Sequence, residues 1–341
     1  MKINIVFVLC LISAYFGYAQ HKTIITNVND FLTSLTPEQT KIAELKFSDS
    51  SRLKWSNLPM EETTRQGIQF KDLTDIQKIK VHEILRNVLS AQGYQKTLFI
   101  MQYDEELHLR MVAANNPLAR KYGQNNYWVT VFSDYGTNKN PKSDWGLKFE
   151  GHHVSINLIF SSEGEVTSCT PLFTGVNPAF SATGLNAGKY ILADENEFGK
   201  ELFSSLSPIL QKKAIISAEL PRDADTRMEL NKNIKAESWI LENNVNNIPS
   251  AISFVNYTEM DNAQQVLVKK IIRSWVDNFN EKIAAEKIQK IYKNLNKIKF
   301  SWMGASDVEQ LHYYRLQSPD FIIEFTNRDQ GLYHFHSLWR E

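Results

Sequence analysis

The stretch Trp145-Gly-Leu-Lys-Phe-Glu-Gly-His-His-Val-Ser-Ile-Asn-Leu-Ile-Phe160 decides how the rest of the chain is read. Its apolar and polar residues alternate with the period of two expected of a half-buried strand. Gly151 interrupts the run and predicts a bulge or a close backbone approach. Around it lie other short runs bounded by Gly, Pro and Asn. "TLFIMQY" (97–103), "YWVTVFSDY" (127–135) and "EVTSCTPLF" (165–173) read as strands, and "SSEGEV" (161–166) as a hairpin turn. Strands return at the C-terminus in "IKFSWMG", "HYYRLQ", "FIIEFTN" and "LYHFHSLW" (298–339). Between these blocks, residues 190–297 carry apolar residues at intervals of three and four. "ENEFGKELFSSLSPILQKKAI" predicts a helix pair or a broken helix, and "DNAQQVLVKKIIRSWVDNF" and "EKIAAEKIQKIYKNLNKI" predict two more helices. Upstream, "KDLTDIQKIKVHEILRNVLSAQGY" (71–94) predicts a helix opened by a Thr74/Gln77 capping box and stopped by Gly93. The expected fold is therefore α+β. One largely antiparallel sheet is built from strands before and after a helical block, with the helices packed on it.

The first twenty residues pair Lys2 with an apolar run, Ile3 to Phe16, and a small residue, Ala19, at a cleavage edge. This is the pattern of a cleaved secretory signal peptide over 1–19, and the run is short for a retained anchor. Residues 20–49 follow as an amphipathic segment, and 50–341 as a single domain. The expected location is secreted or periplasmic, with no integral membrane segment once the signal is removed. Beyond the signal only Cys169 remains, so no internal disulfide is possible, and a buried thiol is the simplest reading of it. Stability must come from a core, which about 320 residues can supply. The 38 basic and 38 acidic residues balance, which excludes a basic field for nucleic acid. No Gly-rich phosphate loop, nucleophile elbow or His-Glu-x-x-His helix is present, so a nucleotide cofactor and the common serine and zinc-peptidase chemistries lack support.

Histidines carry the chemistry. In a strand, His334 and His336 of "LYHFHSLW" share one face about 6–7 Å apart, a spacing that suits two ligands of one ion. In "GHHVSIN", His153 shares a face with Ser155 and Asn157, which makes it the third candidate. His152 looks toward packing or a supporting hydrogen bond, although Gly151 can re-aim either ring. Glu324, an acid in an apolar strand, needs a partner, since unpaired burial costs several kcal/mol. That partner is a metal, one of the histidines, or Arg315, whose guanidinium also suits a substrate carboxylate. Trp145, Trp302, Tyr313 and Tyr314 fit either a cleft wall or a core, and Arg65 on its loop is an anion-binding candidate. A metal site, a metal-free catalytic or sugar-binding histidine cluster, and purely structural histidines all fit the pattern.

Taken in order, "WSNLP", "TRQGIQFKDLT", "WGLKFEGHHVSIN", "TPLFTGVNP", "FSWMG", "YYRLQSPDFIIEFTN" and "HFHSLWR" resemble the bacterial and fungal family called domain of unknown function 3500. The resemblance spans roughly residues 50–340 and is most specific at Gly-His-His and His-x-His-Ser-x-Trp-Arg. It implies that Gly151, His152, His153, Asn157, Glu324, His334, His336 and Arg340 act as one unit, and it brings no established activity. The expectation from the residues is an exported metal-dependent enzyme, a hydrolase ahead of an oxidoreductase, acting on a small-molecule, sugar or peptide substrate. His153, His334, His336 and His152 are the candidate ligands of a divalent ion, zinc or copper. Glu324, Arg315 and Asn157 are the catalytic candidates, and Trp145, Trp302, Tyr314 and Arg340 the substrate-binding ones. A non-catalytic sugar- or peptide-binding protein and a structural envelope protein are the alternatives.

Overall fold

The computed structural model describes residues 24–134, 143–182, 184, 186–218, 253–328 and 333–341. The expected signal peptide lies outside these residues. Among the described residues no helix is long and apolar enough to cross a membrane.

A largely antiparallel sheet of thirteen strands organises the chain. The N-terminal half contributes β1 (Glu44–Leu45), β2 (Ile68–Gln69), β3 (Tyr127–Phe132), β4 (Trp145–Gly151), β5 (Val154–Phe160), β6 (Val166–Ser168) and β7 (Leu172–Val176). The later residues contribute β8 (Ile215–Ser217), β9 (Val255–Asn256), β10 (Lys299–Gly304), β11 (His312–Gln317), β12 (Ile322–Asn327) and β13 (Phe335–Arg340). The main path runs β1-β3-β4-β5-β7-β13-β12-β11-β10-β8. The two strand-rich blocks thus meet where β13 pairs antiparallel with β7, placing His336 opposite Gly175. Among the described residues only short edge pairings, β1 with β3 and β8 with β10, are parallel. The architecture agrees with the α+β expectation, and the C-terminal strands complete the sheet begun before the helical block.

Helices cover one face of this sheet: α1 (24–33), α2 (Pro37–Ala43), α3 (Asp75–Val88), α4 (Ala91–Ala113), α5 (Ala193–Ser205), α6 (Pro208–Ala214), α7 (Asn262–Val276) and α8 (Glu281–Tyr292). Facing them across the strands runs an apolar row. Phe149, Ile156, Leu172, Trp339, Ile323, Leu316 and Phe300 are successive register partners, and all are buried. Such a row stabilises the fold by about 25 cal/mol for each Å² of apolar surface removed from water. Ile24, Val28, Phe31 and Leu32 of α1 join the same core. The opposite face is polar and nonetheless buried, with Lys148, Glu150, Ser155, Arg315, Glu324 and Arg340 along it.

Four local expectations are corrected. The run 145–160 is two strands, β4 and β5, folded back at a two-residue loop, His152–His153, with Gly151 paired to Val154. Gly151 does mark a close approach, since a Cβ there would lie 2.4 Å from the Tyr127 ring. Gly93 does not end a helix. α3 ends at Val88 with Leu89 as its C-cap, and Gly93 lies in the first turn of α4, its amide donating to the Ser90 cap at 3.0 Å. Glycine is required there because a Cβ would fall 2.0 Å from the Asn278 carbonyl oxygen. "TLFIMQY" then continues α4 rather than forming a strand. A short apolar run has no periodicity that separates the two, and the Ser90 cap settles it. Finally, Trp145, Trp302 and Tyr314 are core residues, not a cleft wall. Trp145 stacks on Phe160 at 4.1 Å, Trp302 lies between Phe203 and His312 at 4.3 and 4.8 Å, and Tyr314 donates to the Glu195 carbonyl at 2.5 Å.

Candidate metal centre

His153 reaches the site because the β4–β5 loop is so short. As the second loop residue it takes φ 64°, the left-handed region that hairpin loops usually reserve for Gly or Asn. The backbone secures it on both sides. Its amide donates to the Asn57 carbonyl at 3.1 Å, and its carbonyl accepts from Gly175 at 2.7 Å. Arg65 holds the same loop from below, its Nη2 donating to the carbonyls of Ser56, Leu58 and Gly151 at 2.9, 2.6 and 3.2 Å. Arg65 is thus a clamp on backbone, not the anion receptor expected from its loop position.

His336 sits in β13 opposite Gly175, and His334 just precedes that strand. The three Nε2 atoms converge: His334 to His336 at 3.0 Å, His334 to His153 at 3.2 Å and His336 to His153 at 3.3 Å. Gly175 makes room for them, since a Cβ there would stand 3.0 Å from Cδ2 of both His153 and His336. Burial, reinforced by the neighbouring histidines and Arg328, pushes His153 and His336 well below the ordinary histidine pKa. Both rings are therefore neutral at physiological pH, the form that binds metal. Among the described residues these three side chains form a group able to hold a metal ion.

The other candidates occupy separate places. The His152 ring stacks on His153 with centroids 3.9 Å apart, and its Nδ1 meets Asp104 Oδ1 of α4 at 2.6 Å. It is therefore a prop for the ligand ring rather than a fourth ligand, and Asp104 is engaged further by the Gly123 amide at 2.9 Å. Asn157 donates to Ser155 Oγ at 3.0 Å and to the Pro171 carbonyl at 2.7 Å, which places it in the polar sheet face rather than with the triad. Glu324 stands opposite Leu338, two residues along the sheet from the Thr326–His336 pair and on the same face. It accepts from the Tyr313 hydroxyl, and burial raises its pKa to about 7 against the lowering influence of Arg315, Tyr313 and Arg340. Arg340 is buried beside this acid, in no position to meet solvent.

Three contributors were missed from the sequence: Gly175, Asp104 and Arg328. Only Gly175 carried a signal, an isolated Gly within a β-rich run, which often marks a close approach. Asp104 is hidden on a helix read as a strand. Arg328 places Nη1 3.1 Å from His336 Nδ1, a contact between residues eight apart that no strand pattern announces.

No curated protein and no solved structure matches this chain. A family model described as protein of unknown function (DUF3500) matches residues 18–341, nearly its whole length. The histidine triad and the sheet seam that builds it both lie within that span, and the chain belongs to the DUF3500 family.

Proposed function

We propose that the protein is an exported, metal-dependent enzyme whose divalent ion, zinc or copper, is held by His153, His334 and His336. The observation that carries this reading is the Nε2 triangle, with edges of 3.0, 3.2 and 3.3 Å. Tetrahedral bonds of about 2.0–2.1 Å to imidazole require nitrogens about 3.3 Å apart, so an ion fits with little movement of the rings. Three protein ligands leave a position for water, whose pKa the ion lowers toward neutrality. Glu324, on the same sheet face with its pKa near 7, is suited to take or return a proton. Hydrolysis is favoured over oxidation because no sequence motif points to a redox cofactor. Export rests on the Lys2–Ala19 pattern, which supports a location in the periplasm or outside the cell.

A second reading rests on Arg328. A guanidinium only donates, so its contact makes His336 Nδ1 an acceptor and leaves the proton of a neutral ring on Nε2. In that state the triad is a metal-free, hydrogen-bonded cluster. Elemental analysis of mature protein (residues 20–341) beside His334→Ala/His336→Ala decides between the two. About one ion per chain in the wild type, lost in the folded double variant, supports the metal reading. No metal in either after reconstitution with zinc and copper rejects it.

A further inference from the structure

Between α4 and the turn that opens α5 lies a cavity of about 280 Å³ that shares no lining residue with the triad. Gln92, Gln95, Lys96 and Phe99 border it from α4, at spacings of three and four residues that put them on one face of the helix. Tyr190 and residues 191–195 close the other side. The chain enters α5 through Leu192 at φ 61°, and among the described residues no side chain caps that helix. Its first amides therefore lack the acceptor that an N-cap Ser, Thr, Asp or Asn would give them. Glu195 lies in the same first turn and is 1 % exposed. Its Oε1 accepts from Lys96 Nζ at 2.6 Å, and among the described residues Oε2 has no hydrogen-bond partner. One cavity thus brings together unmet donors on the α5 backbone and an unmet acceptor on Glu195.

Charge narrows what can fill it. Lys96 and Lys189, whose Nζ lies 5.2 Å from the Phe99 ring centre, balance Asp194 and Glu195. No net charge calls for a counter-ion. An anion would meet two carboxylates, and a cation would meet the positive end of the α5 dipole. A neutral group that both donates and accepts meets neither penalty, and a hydroxyl is such a group. The half-buried rings of Phe99 and Tyr190 also favour a ligand with an apolar face. A pyranose offers both, with C–H bonds on its faces and hydroxyls around its rim. Ligand pockets usually run from about 300 to 1,000 Å³, so this volume suits one ring rather than a chain.

We propose that the α4–α5 cavity is a binding site for a single neutral hexose ring. One hydroxyl donates to Glu195 Oε2 and another accepts from the first amides of α5. The exposed Gln95 and Asp194 side chains take further hydroxyls, and a ring face packs on Phe99 or Tyr190. This goes beyond the metal-centred reading and stands whether or not the triad holds an ion.

The test is saturation-transfer NMR on mature protein (residues 20–341) titrated with glucose, galactose, mannose and N-acetylglucosamine, with inorganic phosphate and spermidine as charged probes. At least one of the sugars is expected to bind saturably, and neither charged probe to displace it. Folded Phe99→Ala is expected to lose about tenfold in affinity for that sugar. Gln95→Ala/Asp194→Ala changes exposed side chains only, is expected to lose about as much, and serves if Phe99→Ala does not fold. His334→Ala/His336→Ala is expected to bind as the wild type does. The methyl glycoside of the bound sugar separates its two sources. Unchanged binding assigns the end of a sugar chain and weaker binding assigns the free sugar, and either result supports the site. Saturable binding by none of the four sugars, displacement by phosphate or spermidine, or unchanged affinity in the folded variants would overturn it. Loss of sugar binding in the histidine double variant would move the sugar to the triad and overturn it too.

Discussion

His153 keeps a backbone conformation that costs an L-residue about 1–2 kcal/mol, and does so in a loop where Gly or Asn would serve the hairpin better. The ring, not the turn, explains the choice. His153→Gly and His153→Ala both delete the imidazole and differ only in how the backbone tolerates φ 64°. His153→Gly should therefore be more stable than His153→Ala by about 1 kcal/mol in urea denaturation, and neither should bind metal. Equal stabilities would show that the loop relaxes and that no strain is held there. Arg328 makes a second prediction at this scale. Replacing its donor with an amide that can also accept, as in Arg328→Gln, frees His336 Nδ1 to carry the proton and Nε2 to bind the ion. Zinc affinity measured by competition with a chromophoric chelator should rise about tenfold. A fall would mean that Arg328 supports the loaded site.

At the scale of elements, the site belongs to the seam between β7 and β13, and Gly175 is what lets the seam host two rings. Gly175→Ala should weaken zinc binding by about tenfold while lowering stability by about 1 kcal/mol, the cost of a modest overpacking. Unchanged affinity would mean the rings are displaced without consequence. Much of this level was legible in advance. The His-x-His alternation brought two rings to one face, and the two strand-rich blocks implied a shared sheet. What failed was local. The apolar positions shift from 145, 147 and 149 to 154, 156, 158 and 160 across Gly-His-His, the phase change that a two-residue loop imposes, and reading the stretch as one strand passed over it. Within α4 the apolar run of residues 97–103 had no alternation to contradict a strand, and its helical nature lies in the cap at Ser90. Contacts such as His152 with Asp104 join different elements and are invisible until both are placed.

For the whole molecule, His312 and Glu324 bring opposing pH dependences, beside the acid sensitivity of the buried His153 and His336. His312 lies between Trp302 and Phe325, and burial depresses its pKa from 6.5 to about 4. Below pH 6.5 the unfolded chain binds a proton that the folded chain refuses. Stability therefore falls as pH drops from 6.5 toward 4, by up to about 3 kcal/mol from this residue. Glu324 acts in the other sense. Its pKa rises from 4.5 to about 7, so the folded chain keeps a proton that the unfolded chain loses, and stability falls as pH rises across that interval. The two nearly cancel between pH 4.5 and 6.5. In metal-free Glu324→Gln the cancellation disappears. Its stability should climb steadily from pH 4 to 6.5 and exceed wild type at pH 8 by on the order of 2 kcal/mol, measured by urea denaturation at each pH. A variant profile that parallels wild type would remove Glu324 from this balance.

One consequence follows from how far apart the ligands stand along the chain. His153 and His334 are separated by 181 residues, and the second and third imidazoles arrive only with β13. During synthesis, domains tend to fold from the N-terminus as the chain emerges. A nascent chain that has reached Asn327 holds His153 but neither of the two imidazoles that complete the triad. On the metal reading proposed above, capture of the ion would be the last act of maturation, and a bound ion would certify that the final strand has docked.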